Sequence, residues 1–224
     1  MTQFPVNLNV HDRQAVIVGG GAVAARKCLL LLEAEARITV IAPVLDPCLE
    51  ALKMEGRIAC HVRPYLKGDL AGAFLAFAAT DDPAVNRAVA EEAESLGILL
   101  DIAAAPELGS FTTPAAFRRG DLLVTVSTAG KSPALASKIS NDLAQQFGPE
   151  YAEVLAILGA VREKLLTARN NRTYNKAILR TLANADLPGL IRRGEHEAID
   201  RLLTTNAGPD FTLAALGLRP EDPP

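Results

Sequence analysis

The chain has 224 residues, 49% of them hydrophobic but only 4% aromatic and none Trp, so Ala, Leu and Val must fill the core of one large or two modest domains. A formal net charge of −3 gives no global attraction to nucleic acid, and an acidic ligand would need a local basic patch. The longest apolar run, Leu70–Ala79, is ten residues, too short to span a bilayer, and with no secretory leader the expectation is a cytoplasmic protein off the membrane.

Thr2–Val10 alternates in part (Val6, Leu8, Val10) and is expected as an extended lead-in strand. Ala15–Val18 is an apolar strand that runs into Gly19–Gly20–Gly21 and then into a helix, Ala22–Ala34, rich in Ala and Leu. Gly19, Gly21 and Ala24 fit G-x-G-x-x-G/A. The first glycine permits a tight turn, the second lets backbone approach a pyrophosphate, and the small third residue lets helix and strand pack closely. Free N–H groups and the helix dipole then favour the anion. Arg37–Ile41 is the second strand, stopped by Ala42–Pro43. The acid that would hold an adenosine ribose is missing from its end; the first is Asp46, and no Arg follows. That favours NAD over NADP.

Pro47–Glu55 reads as a short helix, Ile58–Val62 as a strand, and Ala73–Ala79 as an apolar strand ending in Thr80–Asp81–Asp82. Pro83 suits the first position of a helix capped by Asp82, and Gly97 ends it. Ile98–Ala103 is the next strand. Strand and helix alternate from Ala15 to Ala103, which predicts a doubly wound parallel sheet with ligands at the strands' carboxyl ends. Gly19–Gly21, Ala42–Val44, Thr80–Asp82 and Asp101–Ala105 fall there.

Past Pro106, Arg118–Arg119 lead to a strand, Leu122–Ser127, a loop, Thr128–Pro133, and a helix, Ala134–Phe147. Gly130–Lys131–Ser132 invites a P-loop reading, but Thr125 stands where the earlier glycine belongs, so ATP is not expected there. The loop reads equally as a carboxylate site or as an ordinary strand–helix turn. Gly148–Pro149 marks a boundary. Tyr151, Val154, Leu155, Leu158, Val161 and Leu165 then recur at helical spacing as core, and further helices are expected over Tyr174–Ala183 and Glu195–Leu203. Arg169–Arg172 and Arg192–Arg193 read as solvated, and Pro220–Pro224 as a disordered tail. Cys28, Cys48 and Cys60 lack a C-x-x-C pair and are expected as reduced, buried thiols. His11, His61 and His196 have no ligand spacing, so no metal site is expected.

The glycine turn, Ala78–Ala79–Thr80–Asp81–Asp82, Ser110–Phe111 with Pro114, and Ser127–Thr128–Ala129–Gly130–Lys131–Ser132–Pro133 occur in one order. Together they resemble the precorrin-2 dehydrogenase/sirohydrochlorin ferrochelatase family, the N-terminal half of siroheme synthase, over about Phe4–Phe147. The resemblance implies an α/β fold: a Rossmann-like NAD-binding domain (1–111), an α+β dimerisation segment (112–148) and a C-terminal helical region (149–224). It implies a homodimer and NAD-dependent oxidation of precorrin-2 to sirohydrochlorin in siroheme, hence porphyrin, biosynthesis, sometimes followed by ferrous iron insertion. Gly21, Ala22, Val23, Pro43, Val44, Thr80 and Asp81 would then line the cofactor, together with Gly19 of the turn. The tetrapyrrole carries eight carboxylates and would lie between the nucleotide domain and the dimerisation segment. Arg118, Arg119, Lys131 and Lys138 suit it by charge, Ser110 belongs to the family motif, and Thr128 stands where members can carry a regulatory or substrate-contacting serine.

One departure matters. Members typically end the last strand with Asn-Val-x-Asp, whose aspartate is the proposed acid/base; here Asp101–Ile102–Ala103–Ala104 puts Ala104 in its place. On a continued strand Asp101 and Ala104 would face opposite ways about 10 Å apart. Dehydrogenation, which rests on positioning, should survive, with the proton leaving through water or Asp101. Metal insertion must strip pyrrole protons and should suffer. The rival reading is a dimeric NAD(H)-sensing module without catalysis.

Overall fold

The computed structural model of the chain describes residues 3–168 and 172–218. Two compact units divide it, Met1–Thr113 and Pro114–Pro224. The second takes in all but the first two residues of the 112–148 segment, together with the 149–224 region, that the resemblance implies.

The first unit is a five-stranded sheet, every neighbouring pair parallel, in the order β3-β2-β1-β4-β5. The strands are β1 (Gln14–Val18), β2 (Arg37–Ile41), β3 (Ala59–His61), β4 (Leu75–Ala78) and β5 (Leu99–Ile102). Its helices are α1 (Ala22–Glu33), α2 (Pro47–Met54) and α3 (Pro83–Leu96). This is the doubly wound, Rossmann-like α/β arrangement that the alternation predicts. Alternate residues of the central strands serve different faces. Ala15, Ile17, Leu75 and Phe77 join Ala24, Cys28 and Leu49 of the α1 and α2 side, while Val16, Val18, Ala76 and Ala78 join Val89 and Ala93 of α3. Strands covered on both faces read as continuous apolar runs, which is why they were legible.

Residues 3–10 form no strand. Phe4, Val6 and Leu8 are exposed and only Val10 is buried in the core, so the alternation has no neighbouring strand to pair with. β5 likewise stops at Ile102, because its partner β4 stops at Ala78 opposite it; one further bond, Ala103 N–H to the Ala78 carbonyl, closes the ladder. Ala104 therefore lies in a turn beyond the strand, and the expectation of opposite strand faces for Asp101 and Ala104 does not apply.

In the second unit an antiparallel hairpin, β6 (Ala115–Arg119) and β7 (Leu122–Val126), contacts α4 (Pro133–Gln146) and α5 (Glu150–Ala168). The first of these strands has no counterpart in the sequence reading. α6 (Arg172–Ala183), α7 (Leu187–Arg192) and α8 (His196–Ala207) complete the helical part. Val154, Ile157, Val161 and Leu165 of α5 meet Ile178, Leu182, Ile199 and Leu203 in one core, so the helical stripe is structural. The Pro220–Pro224 tail and residues 169–171 lie outside the described residues. Among those described, no helix is long and apolar enough to cross a membrane.

Candidate functional site

The glycine turn sits at the carboxyl end of β1, the strand on whose two sides the chain order reverses. That reversal point is where doubly wound sheets open a ligand crevice. The three glycines differ in what they do. A Cβ on Gly19 would stand 2.2 Å from the Ala79 carbonyl oxygen, and its φ of +124° is closed to side-chain-bearing residues. A Cβ on Gly20 would stand 2.0 Å from the Val44 carbonyl oxygen. These two let the ends of β4 and of the β2–α2 loop close on the turn. Gly21 meets nothing within 4 Å. It is the N-cap of α1, in extended conformation, and the open space lies before a helix start with no side-chain cap and no acid in its first turn. By contrast Asp46 caps α2, Asp82 caps α3 and Ser132 caps α4. An uncapped start with space in front and exposed Val23 and Val44 beside it fits a dinucleotide pyrophosphate with an apolar border.

The other expected cofactor residues flank this turn. Pro43 and Val44 are exposed after β2, and the first acid beyond them, Asp46, caps α2 by accepting from the Cys48 N–H at 2.9 Å. Thr80 follows β4 with Oγ1 donating to Asn86 Oδ1 at 2.9 Å, and the Asn86 amide donates back to the Thr80 carbonyl at 3.0 Å. Asn86, 3% exposed, fixes this turn and was not singled out in the sequence. Asp81 is exposed.

Asp101 is the least expected member. Its carboxylate is buried on the α1 side of the sheet, where Oδ2 accepts from Lys27 Nζ at 2.6 Å and from Thr113 Oγ1 at 2.6 Å. The ammonium also lies 5.3 Å from the centroid of the Phe77 ring, and Phe111 stacks edge-on against that ring. Asp101 is thus a paired, buried carboxylate rather than a base presented to a ligand. Ala104 is exposed and brings no acid or base. Two signals were available in sequence: Lys27 falls on the buried stripe of α1, three residues after Ala24, and Asp101 interrupts an apolar run.

The expected substrate residues scatter in role. Ser110 Oγ accepts from the Leu100 N–H at 2.8 Å and ties its loop to β5. Arg119 is committed to the end of α4, donating to the Phe147 carbonyl at 3.1 Å and the Ala144 carbonyl at 3.0 Å. Lys138 pairs with Asp142 at 2.6 Å along an exposed helix face. Thr128 Oγ1 accepts from the Ser132 N–H at 3.2 Å and donates to its carbonyl at 3.0 Å, closing a loop in which Ala129 and Gly130 both have positive φ. Arg118 and Lys131 are exposed. Among the described residues no group of three or more His, Cys, Asp or Glu side chains is arranged to hold a metal ion.

A family model described as "Putative NAD(P)-binding" matches residues 6–115. Siroheme synthase of Methylobacillus flagellatus is 36% identical over 178 residues, which cover 78% of this chain and 38% of that protein. Siroheme synthase 1 of Aeromonas salmonicida is 31% identical over 228 residues, covering 100% of this chain and 49% of that protein. Siroheme synthase of Salmonella arizonae is 37% identical over 196 residues, covering 83% and 43%. The chain thus spans less than half the length of each of these relatives. The solved structure of SirC, a precorrin-2 dehydrogenase, superposes with a TM-score of 0.72 at 26% identity, over 86% of this chain and 96% of that one. The fold order, the glycine turn and these likenesses agree: the chain belongs to the precorrin-2 dehydrogenase family.

Proposed function

We propose that this protein is an NAD-dependent dehydrogenase that oxidises precorrin-2 to sirohydrochlorin, acting as a homodimer in the cytoplasm. The observation that carries the reading is the uncapped start of α1 behind Gly21, at the reversal point of the sheet. Gly21, Ala22 and Val23 would hold the pyrophosphate through backbone N–H groups and the helix dipole. Pro43, Val44, Thr80 and Asp81 border the same crevice. When bound, NAD⁺ accepts the hydride that leaves the tetrapyrrole. The companion proton goes to water, because Ala104 carries no base and Asp101 is buried with its Oδ2 held by Lys27 and Thr113. Arg118 and Lys131 remain as exposed cations for substrate carboxylates, whereas Arg119 and Lys138 have partners within the chain. Iron insertion, which needs the pyrrole protons removed, lacks a base at position 104.

The homodimer reading rests on the second unit, where Leu135 and Ile139 stand exposed one turn apart on α4 beside a hairpin of only two strands. The test of function is anaerobic mixing of the protein, precorrin-2 and NAD⁺, read by the absorption spectrum of sirohydrochlorin. Its appearance at a rate set by enzyme concentration is the expected result. NAD⁺ binding without any spectral change would instead establish the sensing-module reading, which the missing base at Ala104 favours. No dinucleotide binding would refute both.

A further inference from the structure

The loop from Ala103 to Thr113 leaves β5 and returns to it. Its crown, Ala103–Ala104 and Pro106–Leu108, is exposed and brings almost nothing into the core. Its neck is tied to β5 at two levels. The Ser110 and Phe111 N–H groups donate to the Leu100 carbonyl at 2.8 and 3.2 Å, and Thr113 donates to Asp101 at 2.6 Å. Lys27 reaches Asp101 from the middle of α1, the helix that begins at the glycine turn. One carboxylate oxygen thus joins the cofactor helix to the loop that carries position 104.

A buried ion pair is weak evidence for stability. Apolar residues of similar volume commonly hold such a contact as well or better, because both charges must first leave water. What the pair adds is direction: two short charge-assisted bonds converging on one oxygen allow one arrangement of helix and loop. We infer that Lys27 and Asp101 are positioning residues, which fix the Ala103–Thr113 loop against α1 and so set the loop's place beside the bound dinucleotide. The kinetic half of this inference rests on the dehydrogenase reading; the anchoring half does not.

Two variants test it, chosen over the single Asp101 change. Asp101→Asn leaves Lys27 buried without a counter-charge and so risks misfolding. The Lys27→Met/Asp101→Asn double variant removes both charges, and Thr113→Val removes only the loop's bond. In the free protein, amide hydrogen exchange over residues 103–113 should rise about tenfold in Thr113→Val and in the double variant, with exchange in α3 unchanged. In turnover, both folded variants should keep the wild-type Kd for NAD⁺ and lose about 10–100-fold in kcat, the size of effect a displaced loop gives. A purely structural pair would lower the melting temperature and leave kcat of the folded fraction intact, which would overturn the positioning role. Unchanged exchange over 103–113 in both variants would overturn the anchoring. If the wild-type chain does not turn over, the dehydrogenase reading and the kinetic half fail together, and exchange alone still decides the anchoring.

Discussion

Gly19 and Gly21 belong to one motif, yet the structure gives them opposite sensitivities. Gly19→Ala must place a methyl group 2.2 Å from the Ala79 carbonyl oxygen at a φ of +124°. The backbone conformation alone costs about 1–3 kcal/mol and the overlap about as much again, so a loss of roughly 2–6 kcal/mol follows. Against a typical domain stability of about 5–15 kcal/mol that is a large fraction, and the melting temperature should fall by at least ~4 °C. Gly21→Ala puts its methyl in open space at an ordinary φ of −86°. Alanine is a poorer N-cap than glycine but stiffens the unfolded chain, and the two effects, each below ~1 kcal/mol, oppose. Thermal unfolding should therefore leave Gly21→Ala near wild type, whereas calorimetric titration should show its NAD⁺ affinity reduced by about tenfold or more, since the methyl stands where the pyrophosphate must approach. Wild-type affinity in Gly21→Ala would refute the placement of the dinucleotide. A wild-type melting temperature in Gly19→Ala would refute the packing argument.

Ala104→Asp, at an exposed turn position, should change stability by less than ~0.5 kcal/mol and raise the rate of Fe²⁺ or Co²⁺ insertion into sirohydrochlorin; an unchanged rate would sink the missing-base argument. The Arg63 guanidinium grips both Asp69 oxygens, at 2.7 and 2.6 Å, and holds that carboxyl below its ordinary value. A carboxyl depressed in the folded state stabilises above its unfolded value of 3.8, and that contribution is lost as pH falls through the folded value. Asp69→Asn should accordingly flatten the acid limb of melting temperature against pH, and an unchanged limb would refute the linkage. Burial pushes the Cys28 thiol up to about 11, so iodoacetamide at pH 8 should label Cys28, mapped by mass spectrometry, only after unfolding. Leu135→Glu/Ile139→Glu should give a folded monomer by sedimentation; a persistent dimer would place the interface elsewhere.

The sheet was legible because its strands are buried on both faces and its helices carry their own punctuation. Asp82 and Pro83 start α3, and Gly97 ends it at φ +65°. What the sequence concealed follows from partners distant in the chain. Phe4, Val6 and Leu8 have the period of a strand but no neighbour to bond. β6 was hidden because Ala115–Arg119 is half-buried in a lone hairpin and looks like a charged loop. Leu187–Arg192 contains Pro188 and Gly189, yet the proline sits in the first turn, where it is tolerated, and Asp186 caps the Gly189 N–H. Arg119 looked like a free cation because the carbonyls it caps lie 25 and 28 residues away. The ion pair of Lys27 and Asp101 joins positions 74 apart, and local pattern has no means of matching them.

The bare start of α1 also ties the protein's lifetime to its ligand. A helix whose first turn is completed by a bound anion is finished only while that anion is present, so the free and loaded proteins differ in how often this end opens. Saturation at 100 times Kd adds about 2.7 kcal/mol to folding, and at 1,000 times about 4.1. The susceptibility of the first unit to proteases should then track the dinucleotide pool, and molecules made in its absence would be the first removed.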